Sequence, residues 1–292
     1  MKVGNIVSPL ESRIFEINGI SLHVVLAGPA NGKPLIFLHG FPEFWYAWRD
    51  QIDHFVSSGY RVIIPDQRGY NLSDKPAGIV NYSINLLARD IVGLLDQMAI
   101  SKVFVVGHDW GAAVTWYLVA RNPDRFIRTA ILSAPHFRVF IKNLVTNPSQ
   151  LRKSWYIFFF QLPWLPEIIL RRKSWQLLLR TLRNTLPPAV FSDSDLELYQ
   201  ESWSRTGSLT AMLNWYRAAL LRPLKLKFAA SRVKIPVLLI WGKQDWFMGE
   251  TMASKSLAYC DDGHLEMVDT ATHWVQHEQP ARVNTVVSQF FA

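Results

Sequence analysis

An aspartate between two glycines marks the place in this sequence where chemistry could occur. Asp109 is the centre of GHDWG at 107–111, and Gly107 and Gly111 stand two positions to either side. A carboxylate with an ordinary pKa near ~3.9 is ionised at neutral pH and needs no base to act as a nucleophile. It attacks esters poorly, because the product would be an anhydride, but it can displace a leaving group from an sp³ carbon and form an ester. Epoxides and alkyl halides fit this chemistry; the alternative is that Asp109 only caps the helix that begins at Trp110.

A second carboxylate and a histidine stand where partners of Asp109 would be expected. Asp245 ends WGKQD at 241–245, His273 lies in THW at 272–274, and each follows a predicted strand. Sites in open α/β sheets gather at the carboxyl ends of the strands, and nucleophile, acid, histidine is the chain order of a triad on such a sheet. The rival histidines are His264, which begins a strand, and His277, one turn beyond His273. We therefore predict Asp109, Asp245 and His273 as the reacting set.

The elements that would position these residues are strands alternating with helices. The apolar run at 103–106, rich in β-branched residues, predicts a buried strand, and the pattern after Gly111 predicts a helix. Asn18-Gly19 between two alternating runs predicts a hairpin. The predicted strands are 13–17, 20–27, 34–38, 61–65, 103–106, 126–132, 235–241 and 264–269, with helices near 44–57, 83–97, 251–258 and from 280. This alternation predicts a mostly parallel sheet covered on both faces.

The alternation stops in a long segment after the sixth strand. From 136 to about 231 the pattern is helical, aromatic and basic, broken by Pro163, Pro166, Pro187, Pro188 and Pro223. We call residues 136–231 the cap segment and expect them to cover the site, with 1–135 and 232–292 as the two parts of the core. Residues 137–231 hold 14 Lys+Arg against 5 Asp+Glu, whereas the rest of the chain holds 17 against 18. The net charge of +8 therefore arises from the cap segment.

Bulk composition narrows the class of protein. The 292 residues are 49% hydrophobic, enough for a large core, and the single cysteine, Cys260, excludes an internal disulfide framework. The N-terminal MKVGNIVSPLESR lacks the apolar core of a signal peptide, and no apolar run approaches the ~20 residues of a membrane span. We expect a cytoplasmic protein, free in solution or peripheral to a membrane.

Several motifs in order along the chain support a family resemblance. They are HGFPEFWYAW at 39–48, DQRGYNLSDKP at 66–76, GHDWGA at 107–112, WGKQD at 241–245 and THWVQHEQP at 272–280, joined by Tyr156 in WYIFFFQLP and Tyr216 in NWYR. With these motifs the sequence resembles the epoxide hydrolases of the α/β-hydrolase superfamily over nearly its whole length. The resemblance implies an α/β-hydrolase core with a mostly parallel eight-stranded sheet, flanked by helices, and a helical cap inserted after the sixth strand.

The resemblance also implies a reaction and a role for each site residue. Asp109 would attack an epoxide carbon while Tyr156 and Tyr216 donate hydrogen bonds to the epoxide oxygen. His273, oriented by Asp245, would then activate the water that hydrolyses the ester to a vicinal diol. The amides of Phe41 and Trp110 would form the oxyanion hole, and Trp110, Phe41, Pro42 and Trp274 would bind substrate. The implied partners are a small apolar epoxide and water, with no metal or organic cofactor and no nucleic acid, in a monomer or homodimer.

Two alternatives remain open at this point. A haloalkane dehalogenase would use the same aspartate, and the Trp110 indole could bind halide; that family, however, usually has asparagine at the position of Phe41 and needs no tyrosine pair. A fluoroacetate dehalogenase would be expected to have arginine where Trp110 stands. A non-catalytic binding protein on the same scaffold is the other alternative, which an intact Asp109, Asp245 and His273 disfavour.

The cap segment combines basic and aromatic residues in a way that has two interpretations. The basic residues are Arg152, Lys153, Arg171, Arg172, Lys173, Arg180 and Arg183, and the aromatic ones are Trp155, Trp164, Trp175 and the run 158–160. Such a mixture suits weak peripheral contact with a membrane that contains anionic lipid. The default interpretation is that some aromatics line the substrate pocket and the charges are solvated.

Overall fold

An eight-stranded sheet forms the centre of the computed structural model, which describes residues 6–184, 190–221 and 232–292. Its strands are β1 (Leu10–Ile17), β2 (Ile20–Ala27), β3 (Lys33–Leu38), β4 (Tyr60–Pro65), β5 (Val103–His108), β6 (Phe126–Leu132), β7 (Val237–Gly242) and β8 (Gly263–Val268). They lie in the order β1-β2-β4-β3-β5-β6-β7-β8. β2 pairs antiparallel with both β1 and β4, and all other pairs are parallel. The predicted fold class is confirmed.

Helices flank the sheet and fill the segment between β6 and β7. They are α1 (Arg49–Ser57), α2 (Ile84–Gln97), α3 (Trp110–Arg121), α4 (Phe137–Thr146), α5 (Pro148–Lys153), α6 (Trp155–Phe159), α7 (Leu165–Asn184), α8 (Asp193–Ser204), α9 (Ser208–Leu221), α10 (Thr251–Leu257), α11 (Val275–Glu278) and α12 (Pro280–Phe291). Two pairs pack beside the sheet: α1 against α12, and α2 against α3. In the described part of the chain, no helix combines the length and the apolar character needed to cross a membrane.

Local sequence explains most element boundaries. Asn18 and Gly19 both have positive φ, 51° and 76°, as the predicted two-residue hairpin requires. The helix predicted over 44–57 begins later, because Trp45–Trp48 forms a 3₁₀ turn before α1. In that turn the Ala47 amide donates to the Phe44 carbonyl, three residues back, and all four turn residues are buried.

The cap segment contains α4 to α9. Pro166, expected to break a helix, lies instead in the first turn of α7, where proline costs no helical hydrogen bond. α7 is interrupted farther on, where Lys173, Ser174 and Trp175 have φ of 49°, 52° and 66°. Pro187, Pro188, Pro223 and the predicted boundary after residue 231 lie outside the described residues. The division of the chain at 135/136 and 231/232 stays a prediction.

Side-chain hydrogen bonds attach the cap segment to loops that follow β3 and β4. The Trp203 indole donates to the Pro42 carbonyl at 2.6 Å, and the Trp215 indole donates to the Arg68 carbonyl at 3.0 Å. On the other side, Lys153 donates to the backbone carbonyl of Asp245 at 2.6 Å. The cap segment is therefore held against the strand ends from which Asp109 and Asp245 project.

Candidate active site

The turn between β5 and α3 presents Asp109 at the centre of the sheet. β5 lies between β3 and β6, and Asp109 has φ 51° and ψ −119°, a conformation that non-glycine residues rarely adopt. Two glycines let the backbone approach this turn closely. A Cβ at Gly111 would lie 2.1 Å from the Leu38 carbonyl oxygen, and one at Gly40 would lie 2.4 Å from the Asp109 Cβ. Glycine at these positions is required by the packing of α3 and of the loop after β3.

The three residues predicted from strand ends come together. His273 Nδ1 lies 2.8 Å from Asp245 Oδ2, and His273 Nε2 lies 3.5 Å from Asp109 Oδ2. The other Asp245 oxygen accepts hydrogen bonds from the amides of Phe247 and Met248 at 2.7 and 2.8 Å. Asp245 is thus fixed by its own loop, and it orients the His273 ring toward Asp109.

The charges in this set are strongly coupled. Burial disfavours ionisation of Asp109, but the hydrogen bond and charge of His273 and the Phe41 amide outweigh burial and lower the pKa of the Asp109 carboxyl. Burial likewise disfavours protonated His273, yet Asp245 and Asp109 together raise the pKa of the His273 imidazole to about 10. At neutral pH the resting site therefore contains ionised Asp109 beside a protonated His273.

The two backbone amides predicted to form the oxyanion hole, those of Phe41 and Trp110, belong to residues close to Asp109. The Phe41 amide donates to Asp109 Oδ1 at 2.8 Å, and the Phe41–Pro42 peptide bond is cis. Trp110 is the first residue of α3, so its amide is among those that a helix leaves without an internal acceptor.

Two cavities meet at Asp109. The first, which we call the basic cavity, has a volume of about 490 Å³ and includes Asp109, His273, Arg152, Lys153 and Arg180 in its lining. The second, the apolar cavity, has a volume of about 310 Å³ and is lined by apolar side chains together with Asp109. Of the predicted substrate-binding residues, Phe41, Pro42 and Trp274 line the basic cavity and Trp110 lines the apolar one.

The two predicted tyrosines stand at the junction of the cavities. Tyr156 and Tyr216 line both cavities, and their ring centroids are 6.0 Å apart. Burial first, and the negative charge of Asp109 second, raise the pKa of both phenols well above the ordinary value. Both hydroxyls therefore remain protonated and able to donate over the whole physiological range.

Arg217, which the sequence analysis did not single out, connects the elements that carry the tyrosines. From α9, one residue after Tyr216, it donates to the carbonyls of Phe160 and Leu162, both at 2.9 Å, and pairs with Glu167 at 2.8 Å. Phe160 and Leu162 directly follow α6, which contains Tyr156. The signal available in the sequence was an arginine adjoining a predicted site residue in a helix with no other charge.

A buried carboxylate, Glu43, forms a second cluster that sequence analysis missed. Its oxygens lie 2.6 Å from His277 Nε2 and 3.1 Å from His108 Nδ1, and it accepts a hydrogen bond from Tyr199 at 2.9 Å. His108 Nε2 in turn lies 2.9 Å from the His273 carbonyl oxygen. His108 and His277 thus lie beneath the site and contact Glu43. The sequence analysis gave neither histidine a catalytic role. The only sequence signal for Glu43 is its place directly after HGFP.

Polar side chains of the loop after β4 attach this loop to neighbouring elements. Asp66 lies 2.7 Å from His23 Nδ1, Arg68 pairs with Asp90 at 2.6 Å, and Asp74 accepts from the Ser21 amide at 2.8 Å. Within 6–184, 190–221 and 232–292, no group of three or more His, Cys, Asp or Glu side chains is arranged to hold a metal ion.

Comparison with known proteins places this site in a family. Residues 33–280 match the model of the alpha/beta hydrolase fold. The chain is 45% identical over 273 residues to the AB hydrolase superfamily protein YfhM of Bacillus subtilis, covering 94% of this chain and 95% of that protein. It is 35% identical to Epoxide hydrolase 2 of Caenorhabditis elegans over 95% of this chain and 79% of that protein. A Bacillus megaterium epoxide hydrolase crystal structure superposes with a TM-score of 0.85 at 30% identity, covering 96% of this chain and 99% of that one. The chain belongs to the epoxide hydrolase family of enzymes in the α/β-hydrolase superfamily.

Proposed function

We propose that this enzyme hydrolyses epoxides to vicinal diols through an ester formed on Asp109. The observation that supports this most strongly is that Asp109, His273 and both tyrosines line one cavity. In the first step a carboxylate oxygen of Asp109 attacks a ring carbon, and the bond from that carbon to the ring oxygen breaks. Tyr156 and Tyr216 donate hydrogen bonds to the developing alkoxide, which takes a proton from one of them.

His273 acts in the second step, and the coupling of charges explains why it can. Once Asp109 is an ester, the charge that helped to raise the pKa of His273 is gone, so the imidazolium gives its proton to the tyrosinate that the first step leaves and becomes neutral. Neutral His273 then takes a proton from water, and the hydroxide attacks the carbonyl carbon of the ester. The Phe41 and Trp110 amides stabilise the oxyanion, which collapses with cleavage of the bond to the alcohol oxygen. The departing alkoxide takes the proton of the carboxylic acid just formed, which releases the diol and restores the Asp109 carboxylate.

The cavities define the shape of a fitting substrate. Because the basic and apolar cavities meet at Asp109, an epoxide there has room for a substituent on each ring carbon. Aromatic and aliphatic side chains dominate both linings, which favours apolar substituents.

The decisive experiment is intact-protein mass spectrometry of a His273→Gln variant given styrene oxide, with 1-bromobutane in parallel. Attack proceeds without His273 but ester hydrolysis stalls, so we expect an adduct of whole-epoxide mass that maps to Asp109. A His273→Gln/Asp109→Ala variant is the matched control and should form no adduct.

The other outcomes separate the alternatives. An adduct that retains only the butyl group, with bromide released, would identify a dehalogenase. The absence of any adduct in a folded His273→Gln protein would contradict the proposed mechanism and favour a binding protein.

A further inference from the structure

We propose that the surface around the mouth of the basic cavity is a docking site for membranes that contain anionic phospholipid. We define this mouth surface as Arg152, Trp155, Leu177, Arg180 and Trp246, all of which are exposed and all of which line the same cavity. They come from three segments: α5 with α6, the second half of α7, and the loop after β7.

The apolar part of the mouth surface is unusual for a surface in contact with water only. The side chains of Trp155 and Trp246 are 62% and 59% exposed, although tryptophan normally buries most of its area. Leu177 is also exposed and lines the same cavity. Indole rings prefer the boundary between lipid headgroups and acyl chains, where one side is apolar and the other is hydrated.

The charged part of the mouth surface matches an anionic partner. Between Gln150 and Asn184 there are seven Lys and Arg residues and one acidic residue, Glu167, and Glu167 is already paired with Arg217. Lys153 and Arg183 have acceptors, the Asp245 carbonyl and Asp193. Within the described ranges Arg152 and Arg180 form no ion pair, so both guanidinium groups are available to lipid phosphates.

A bilayer fits these observations because the exposed indoles and the free guanidinium groups surround a cavity mouth. Arginine can keep its charged end at the headgroups while its stem lies along apolar surface. Apolar molecules concentrate in lipid bilayers, so docking would place the mouth of the basic cavity against the membrane in which such molecules are dissolved. Vesicle binding itself does not depend on the proposed reaction and can be measured on the resting enzyme.

The test is flotation of the full chain with vesicles of phosphatidylcholine alone or mixed with phosphatidylglycerol. We expect binding to the anionic vesicles at ~0.01 M ionic strength, where charges act over ~30 Å, and release at ~1 M, where they act over ~3 Å. Arg152→Gln/Arg180→Gln should weaken binding about 25-fold, about fivefold for each charge removed. Trp155→Ala/Trp246→Ala should weaken binding to the same vesicles as well.

The matched control removes two exposed lysines elsewhere, Lys102→Gln/Lys255→Gln, and should bind as the parent enzyme does. Circular dichroism and thermal melting establish that each variant is folded. Failure to float with anionic vesicles at low ionic strength overturns the proposal, as does equal weakening by the control variant. A dimer that light scattering detects and Trp155→Ala/Trp246→Ala dissociates, with no vesicle binding, would show that a second copy covers this surface instead.

Discussion

His273 stands between two carboxylates, Asp109 and Asp245, and only Asp109 loses its charge during the proposed reaction. In the resting enzyme Asp245 and Asp109 both favour the imidazolium, and the pKa of His273 is raised to about 10. Alkylation neutralises Asp109 and leaves Asp245 in place. The histidine therefore becomes available as a neutral base only after the nucleophile has reacted.

This charge change predicts how ester hydrolysis depends on pH. The hydrolysis rate should rise with pH and level off above the pKa of His273 in the ester form, which lies below the resting value of about 10. Single-turnover mixing with excess enzyme, acid quench and mass spectrometry measures the decay of the ester directly. A decay rate that is constant from about pH 5 to about pH 10 would contradict His273 as the base.

The hydroxyls of Tyr156 and Tyr216 should accelerate opening of the epoxide ring and have no role in hydrolysis of the ester. Tyr156→Phe or Tyr216→Phe removes one donor to the developing alkoxide, and we expect the alkylation rate to fall about 100-fold in each case. The decay of the ester should remain close to that of the parent enzyme. Comparable losses in both half-reactions would show that these tyrosines have a general structural role instead.

At the scale of elements, Arg217 fixes α9 against the turn that follows α6. Its guanidinium donates to two carbonyls in that turn and to Glu167 at the start of α7, contacts that a lysine cannot reproduce together. The relative position of Tyr156 and Tyr216 therefore depends on the planar side chain of Arg217, although Arg217 lines neither cavity.

Arg217→Lys should consequently slow alkylation about tenfold while leaving ester hydrolysis nearly unchanged, because His273 and Asp245 lie on other elements. The same single-turnover experiment separates the two rates, and Arg232→Lys is the control, because the exposed Arg232 guanidinium also donates to a carboxylate, that of Asp261, and to two backbone carbonyls. Equal slowing of both steps would mean that the substitution disturbs the whole site.

Elements differ in how far the sequence determines them. The strand β5, the hairpin at Asn18-Gly19 and the positions of Asp245 and His273 follow from local patterns, since β-branched runs, turn residues and strand ends each act at short range. The interruption of α7 and the buried position of Glu43 depend on contacts between residues far apart in the chain. Asp109, Tyr156 and Tyr216 could be chosen because motifs mark them. Arg217 could not, since its partners lie in the turn after α6 and in α7, about 50 residues earlier in the chain.

At the scale of the whole molecule, the cap segment contributes to both cavities that reach Asp109, but the second half of α7 lines only the basic cavity and α3 only the apolar one. Ala113 lines the apolar cavity and Leu177 the basic one. A larger side chain at either position would narrow one cavity and leave the other open.

Ala113→Leu should therefore lower kcat/KM for epoxides with apolar groups on both ring carbons about tenfold, and leave monosubstituted epoxides little affected. Leu177→Trp narrows the other cavity and is the comparison variant. Steady-state kinetics with a matched pair of substrates, styrene oxide and trans-stilbene oxide, measures the ratio of their kcat/KM values in each variant. The same loss for both substrates in Ala113→Leu would show that one cavity alone holds the substrate.

The Glu43 cluster also has a consequence for how the molecule unfolds. Glu43 belongs to the loop after β3, Tyr199 to the cap segment, and His277 to α11, so one fully buried carboxylate is shared by three distant parts of the chain. Separating any of them would leave a buried charge with fewer partners, at a cost of about 3–5 kcal/mol. The cap segment and the sheet should thus unfold in one cooperative transition. We expect no intermediate in which the cap segment has unfolded and the sheet is still folded.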